Sequence, residues 1–162
     1  LRIEIFMIPS VKDGVIVYDI EGISPEDIPQ SHVDFYKSLS LYHYDKKNKR
    51  VFVHGGFNRH QKLENQHIPH IYYWDRDLLS SAIACQLSQK MTLRFKDEIE
   101  EVFVGHTTTI TWGVTTPIIA DKLIANDTGA GFDGKLTIMD VDSKEFWQSE
   151  RLPEIYSKEQ GR

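Results

Sequence analysis

Cysteine is nearly absent: Cys85 is the only one in 162 residues. That excludes an intrachain disulfide framework and any zinc finger built on several thiolates. No apolar run approaches the roughly 20 residues that a membrane-spanning helix needs, so no membrane partner is expected. An excess of positive charge is missing as well. Lys and Arg total 19 against 24 Asp and Glu, a formal net charge of -5, and a mildly acidic chain is poorly suited to gripping nucleic acid through its phosphates. The opening stretch, Leu1 to Pro9, is short, carries Glu4 and has no small-residue cleavage site, so cytoplasm is the expected location. What is present is an ordinary globular mixture. Hydrophobic residues at 40% and charged residues at 27% supply both a core and a solvated surface, which excludes disorder. The length predicts one domain, 1-162. Its start, 1-21, is atypical: the chain opens at Leu1 inside a β-like run of Ile3, Ile5, Phe6, Met7 and Ile8.

Hydrophobic patterning predicts short extended segments over 1–8 and Gly14–Ile20, then a Pro-punctuated connection from Gly22 to Gln30. Ser31 opens a helix to about Leu41 with a weak apolar stripe. Leu41–Tyr44 and Arg50–Val53 flank a polar turn and form an expected hairpin. The segment from Asn58 to His70 is polar, His-rich and aperiodic, hence a loop. A helix is predicted from Tyr72 to Gln89, with Trp74, Leu78, Ile83, Ala84 and Leu87 as its apolar positions. Strands are predicted at Val102–Val104, Leu123–Ala125, Lys135–Val141 and Glu145–Gln148, and the end, Leu152–Arg162, reads as a polar surface tail. Strands outnumber helices, which points to an α+β domain.

Two places share one pattern, an apolar strand that stops at a histidine with glycine beside it. They are Val51-Phe52-Val53-His54-Gly55-Gly56 and Val102-Phe103-Val104-Gly105-His106-Thr107. Ligands collect where buried strands leave a sheet, and a neutral imidazole there is a natural metal ligand. His60, His67 and His70 have no such preorganisation and read as solvated loop positions; His43 reads as a surface position. Cys85 sits among Ala82, Ala84 and Leu87 and reads as a buried thiol rather than a nucleophile. Asp75 and Asp77 suit the positive end of a helix dipole. Arg76 does not, and is better suited to gripping a phosphate bidentately.

Four motifs now stand in order: Val-Phe-Val-His-Gly-Gly-Phe at 51–57, Tyr-Tyr-Trp-Asp-Arg at 72–76, Val-Phe-Val-Gly-His-Thr at 102–107, and Asn-Asp-Thr-Gly-Ala at 126–130 followed by Gly-Lys-Leu-Thr at 134–137. In this order and at these separations, the chain over 22-162 resembles the carboxy-terminal portion of calcineurin-like metallophosphoesterases. It is most similar to their bacterial serine/threonine-phosphatase and dinucleoside-tetraphosphatase branch. The resemblance implies a layered α/β/β/α sandwich, incomplete on its amino-terminal side. It implies hydrolysis of phosphoesters by water activated between two divalent ions (Mn, Fe or Zn). The phosphorylated substrate would be a phosphoprotein or a dinucleoside polyphosphate. His54 and His106 would ligate one metal, Arg76 would hold the substrate phosphate, and Gly55, Gly105, Asp127 and Gly129 would support the site.

The family's front motifs, Gly-Asp-x-His-Gly, Gly-Asp-x-x-Asp-Arg-Gly and Gly-Asn-His-Asp or Glu, have no counterpart here. Asp19-Ile20-Glu21-Gly22 imitates the first, but it lies in the family's linker region and lacks the histidine. No catalytic residue is therefore assigned, and no tight dinuclear centre is expected of this chain alone. Uncovered sheet edges predict self-association. The competing expectation is a non-catalytic domain that binds a phosphorylated ligand or a protein partner through His54, His106 and Arg76.

Overall fold

The computed structural model describes residues 7–12, 15–20 and 28–156. The expected extended start over 1–6, most of the Pro-punctuated connection (21–27) and the end of the polar tail (157–162) lie outside the described residues. The chain divides into two compact units, Leu1–Leu39 and Ser40–Arg162. In the first, β1 (Met7–Lys12) and β2 (Val15–Ile20) pair antiparallel, with Lys12 opposite Val15. Helix α1 (Gln30–Ser38) follows and has no buried residue, in keeping with its weak apolar stripe. The unit boundary falls just after it, at Leu39–Ser40.

The second unit is mixed α and β and carries all four motifs. Strands β3 (Tyr42–Asp45) and β4 (Arg50–Val53) form the expected hairpin. Its turn is closed by the Asp45 carboxylate, which accepts from the backbone N–H of Asn48 at 3.1 Å and from its side-chain amide at 2.7 Å. Those two hydrogen bonds hold the Asp45 pKa below the ordinary value. β4 runs parallel to β5 (Glu101–Val104), β5 parallel to β7 (Leu123–Ala125), and β6 (Ile118–Ala120) closes the far edge antiparallel to β7. The resulting five-stranded sheet has the order β3-β4-β5-β7-β6.

Continuous apolar triplets are what a parallel strand covered on both faces requires. On one face Val51, Val53, Val102, Val104, Leu123 and Ala125 meet helix α3 (Asp77–Ser88), which contributes Leu78, Leu79, Ala82 and Cys85 to the same core. On the other, the register puts Phe52 beside Phe103 and Phe103 beside Ile124. The two phenyl rings stack with centroids 4.8 Å apart. A hairpin of β8 (Lys135–Met139) and β9 (Phe146–Arg151) is tied to this sheet at its tip. Arg50 pairs with Glu101 at 2.7 Å and with Asp142 at 2.5 Å, Lys144 pairs with Glu101 at 2.7 Å, and the Lys144 ammonium lies 5.0 Å from the Phe103 ring centre. A short helix α4 (Leu152–Ile155) ends the described chain. Among the described residues no helix is long and apolar enough to cross a membrane.

Three expectations need correction. The helix predicted from Tyr72 to Gln89 is two helices, α2 (Ile71–Trp74) and α3, separated by Asp75 in extended backbone and by Arg76. Its buried face is not the expected one either. Trp74 and Leu87 are 58% and 79% exposed, and Ala84 is exposed too, because the break rotates the face of α3 that meets the sheet. Finally, β6 was not expected, its three residues being too short a run to stand out from the loop around Pro117, and part of the expected polar tail is α4.

The ion cluster at the hairpin tip yields a test. Glu101 is the only acid bridging both Arg50 and Lys144 among the described ion pairs. Glu101→Gln leaves two cations close together beside the phenyl stack. We expect a lower melting temperature than that of the unsubstituted chain at low salt. The difference should shrink in high salt, which screens partly exposed charges. Calorimetry at two ionic strengths checks this.

Candidate functional site

Three adjacent parallel strands end at the same level of the sheet. His54 follows β4, Gly105 and His106 follow β5, and Asn126 and Asp127 follow β7. The ladder continues one step past the strands, with Gly105 N–H donating to the His54 carbonyl at 2.9 Å and Asn126 N–H to the Val104 carbonyl at 2.9 Å. This fixes the two imidazoles side by side, with ring centroids 5.1 Å apart. His106 has φ +60°, a left-handed backbone rare outside glycine. A tight turn around it, with Thr107 N–H to the Gly105 carbonyl at 2.6 Å, turns its side chain back over the strand ends. Its Nε2 is buried and has no hydrogen-bond partner. Burial, then the charge of His54, then that of Arg76, lower the His106 pKa against the opposing pull of Asp127. The neutral imidazole, which is the ligating form, is thereby favoured.

The glycines explain how the other side chains arrive. Gly55 donates to the Tyr72 carbonyl at 2.7 Å. A Cβ built on Gly55 would stand 2.9 Å from the backbone of Tyr73, Trp74 and Asp75. One built on Gly56 would collide with the Asp75 carboxylate. The end of α2 therefore lies directly against the exit of β4, possible only without side chains there. From this position the Trp74 ring meets His106 edge-on, with centroids 5.2 Å apart. The Asp75 carboxylate turns inward and accepts the Leu78 N–H at 3.0 Å, so its burial raises its pKa despite that bond. Arg76 is left facing outward. It precedes the first turn of α3 rather than lying within it, as expected from sequence. Among the described residues its guanidinium has no ion pair or hydrogen bond.

Asp127 belongs to a hydrogen-bonded loop. Its carbonyl accepts the Thr109 N–H at 2.8 Å and its carboxylate accepts the Gly129 N–H at 2.9 Å. Gly129 has φ +85°, and the buried Thr128 and Thr137 hydroxyls pair at 2.5 Å beneath it. Gly105 differs from the other glycines. Its φ is not left-handed, and an added Cβ would find its nearest neighbour at 3.7 Å, ordinary contact. The support expected of it is not steric.

Together these elements surround a cavity of about 460 Å³, lined by His54, Tyr73, Trp74, Arg76, His106, Asp127, Gly131 and Phe132. His54 and His106, expected as metal ligands, Arg76, expected to hold phosphate, and Asp127, expected as a supporting loop residue, all line it. On the other side of the two histidines an open groove of about 630 Å³ runs along Leu41, Phe52 and Phe103 to Asn126. The sequence reading missed Trp74 and Phe132 as walls of the site, though Trp74 stood inside a motif beside Arg76. It also missed Asn126, whose Oδ1 is buried without a partner. His60, His67 and His70 are exposed on the loop, and Cys85 is buried in the core, as expected.

The donor set can be tested against the expected metals. Two imidazoles side by side, one with an unpartnered buried nitrogen, fit two ligands of a single divalent ion. Among the described residues no group of three or more His, Cys, Asp or Glu is placed to hold a metal. A dinuclear centre does not fit them. No protein-family model matches the chain, and no curated protein matches it.

Two expected outcomes follow from this geometry. Gly55→Ala must displace the backbone of α2 and should cost about 1–3 kcal/mol, the usual range for overpacking, whereas Gly105→Ala should be close to neutral; urea denaturation compares them. His106 sets a pH dependence. Its folded pKa lies below its unfolded one, so between the two the unfolded chain binds more protons and stability falls as pH falls. His106→Asn should flatten that decline in melts taken from neutral pH downward.

Proposed function

We propose that this chain forms part of a metal-dependent phosphoester hydrolase of the serine/threonine-phosphatase kind. The observation that carries the reading is the convergence of His54, His106 and Arg76 on one cavity at the ends of adjacent parallel strands. Two imidazoles, and a guanidinium without a partner among the described residues, make a place for a divalent ion beside a phosphate. His54 and His106 would hold the ion and Arg76 the phosphate; Asp127 and Gly129 would keep the loop between them in place. When bound, the metal would supply Lewis acidity and an activated water. The residues of this chain contribute binding and orientation. The resemblance in the four motifs, including Trp74-Asp75-Arg76 with its close-packed glycines, supports the same reading. So does the groove along Leu41, Phe52 and Phe103, which leaves room for the second sheet of a layered α/β/β/α sandwich.

A second reading rests on the incomplete donor set. With only two histidine ligands among the described residues, the chain alone binds a phosphorylated ligand without turning it over. Turnover of a phosphomonoester by the metal-loaded chain separates the two readings; the site they share has further expected outcomes. Elemental analysis after dialysis should find less than two metal ions per chain, and His54→Ala and His106→Ala should each weaken retention of Mn or Zn. Arg76→Ala should leave metal retention unchanged. In a form that hydrolyses phosphoesters it should reduce turnover about 10²–10³-fold, the range for removing one electrostatic donor to the transition state. Arg76→Lys should restore part of that loss, since a point charge lacks the bidentate fork. Full activity in Arg76→Ala would refute the assignment of the phosphate to Arg76.

A further inference from the structure

Arg76 and His106 border a second cavity, of about 450 Å³, on the side away from His54. It shares Phe132 with the first cavity as well as Arg76 and His106, and lacks the second imidazole. Ile110 and Phe132 form an apolar wall with 42% and 47% of their surfaces exposed. Thr107, Thr108 and Thr111 add hydroxyls, and Asp133 stands in the lining as well. Resting on the phosphoester reading, we propose that this cavity receives the alcohol portion of a phosphomonoester, and that this portion is bulky, uncharged and apolar, of aryl character.

The wall is built rather than incidental. Gly129, in its left-handed conformation, has the Ile110 methyl 2.7 Å from where a Cβ would stand, so the absent side chain is what admits Ile110. The Gly129 carbonyl also accepts the N–H of Phe132 and of Gly134, each at 2.9 Å. One turn therefore positions both apolar side chains. The Thr109 N–H bond to Asp127 joins the same turn to the strand ends, so the wall and the phosphate cavity share one support. Charge decides the class of ligand. Among the described residues the only cation lining this second cavity is Arg76, which the first phosphate would already engage. A polyphosphate extending past Arg76 would meet Asp133 and apolar carbon instead of a second cation. A flat apolar group would instead bury against Phe132 and Ile110.

Chemical-shift titration of the full chain, in metal-free buffer, with inorganic phosphate, methyl phosphate, 1-naphthyl phosphate and pyrophosphate tests this. Phosphate should perturb the amides around His54, Arg76 and His106. 1-Naphthyl phosphate should bind about tenfold more tightly than methyl phosphate, the factor expected from burying on the order of 55 Å² of apolar surface, and should also perturb Ile110 and Phe132. Pyrophosphate should gain nothing over phosphate. Ile110→Ala and Phe132→Ala should each reduce the naphthyl advantage, and Ile110→Ala, outside the phosphate cavity, should leave phosphate affinity as it was. Arg76→Ala should weaken every probe. If phosphate binds at the histidines but the naphthyl ester binds no more tightly, or pyrophosphate binds more tightly than it, the subsite is refuted and the phosphoester reading stands. If phosphate leaves His54, Arg76 and His106 unperturbed, both fall.

Discussion

The contact between the bare backbone of Gly55 and Gly56 and the end of α2 is the constraint on which the site depends. A Cβ on Gly55 would stand 2.9 Å from three backbone atoms of that segment, so there is no room for a methyl group. The contact also breaks the helical segment at Asp75, because a continuous helix could not both touch the strand exit and lay Leu78, Leu79 and Ala82 on the sheet. The break is what sends Trp74 over His106 and Arg76 outward, while the Asp75 carboxylate turns inward to close the start of α3. One close approach thus sets the position of an aromatic wall, the Arg76 guanidinium and a helix start together.

Much of this was legible before the structure. The strand-histidine-glycine edges announced themselves because a parallel strand buried on both faces needs an uninterrupted apolar run, and such a run ends sharply where the backbone leaves the core. The placement of β4, β5 and β7 followed from the same rule. Helix phase was less legible. Trp74, Ile83 and Leu87 offered an apolar spacing as good as the true one, and only the glycine contact from a distant part of the chain decides between them. Phe132 carried no signal, since an aromatic residue between two glycines and an aspartate reads as loop. The lone nitrogen of His106 was equally hidden: it depends on a backbone angle that no local pattern specifies.

The two histidines and Arg76 also stand in electrostatic tension. Arg76 and His54 both disfavour a charged His106, and burial does so more strongly. Arg76 and Asp127, which line the same cavity, carry opposite charges. A bound cation and a bound phosphate would each ease the binding of the other through their mutual attraction.

The ion cluster at the hairpin tip has a mechanical consequence. Arg50 and Glu101 are the first residues of β4 and β5, and His54 and His106 follow the last. Four residues of strand span only ~13 Å, and the phenyl stack stiffens the two strands between their ends. The parallel ladder and the phenyl stack join the two strands along that whole length, so the ion pairs at one end and the imidazoles at the other belong to a single braced unit.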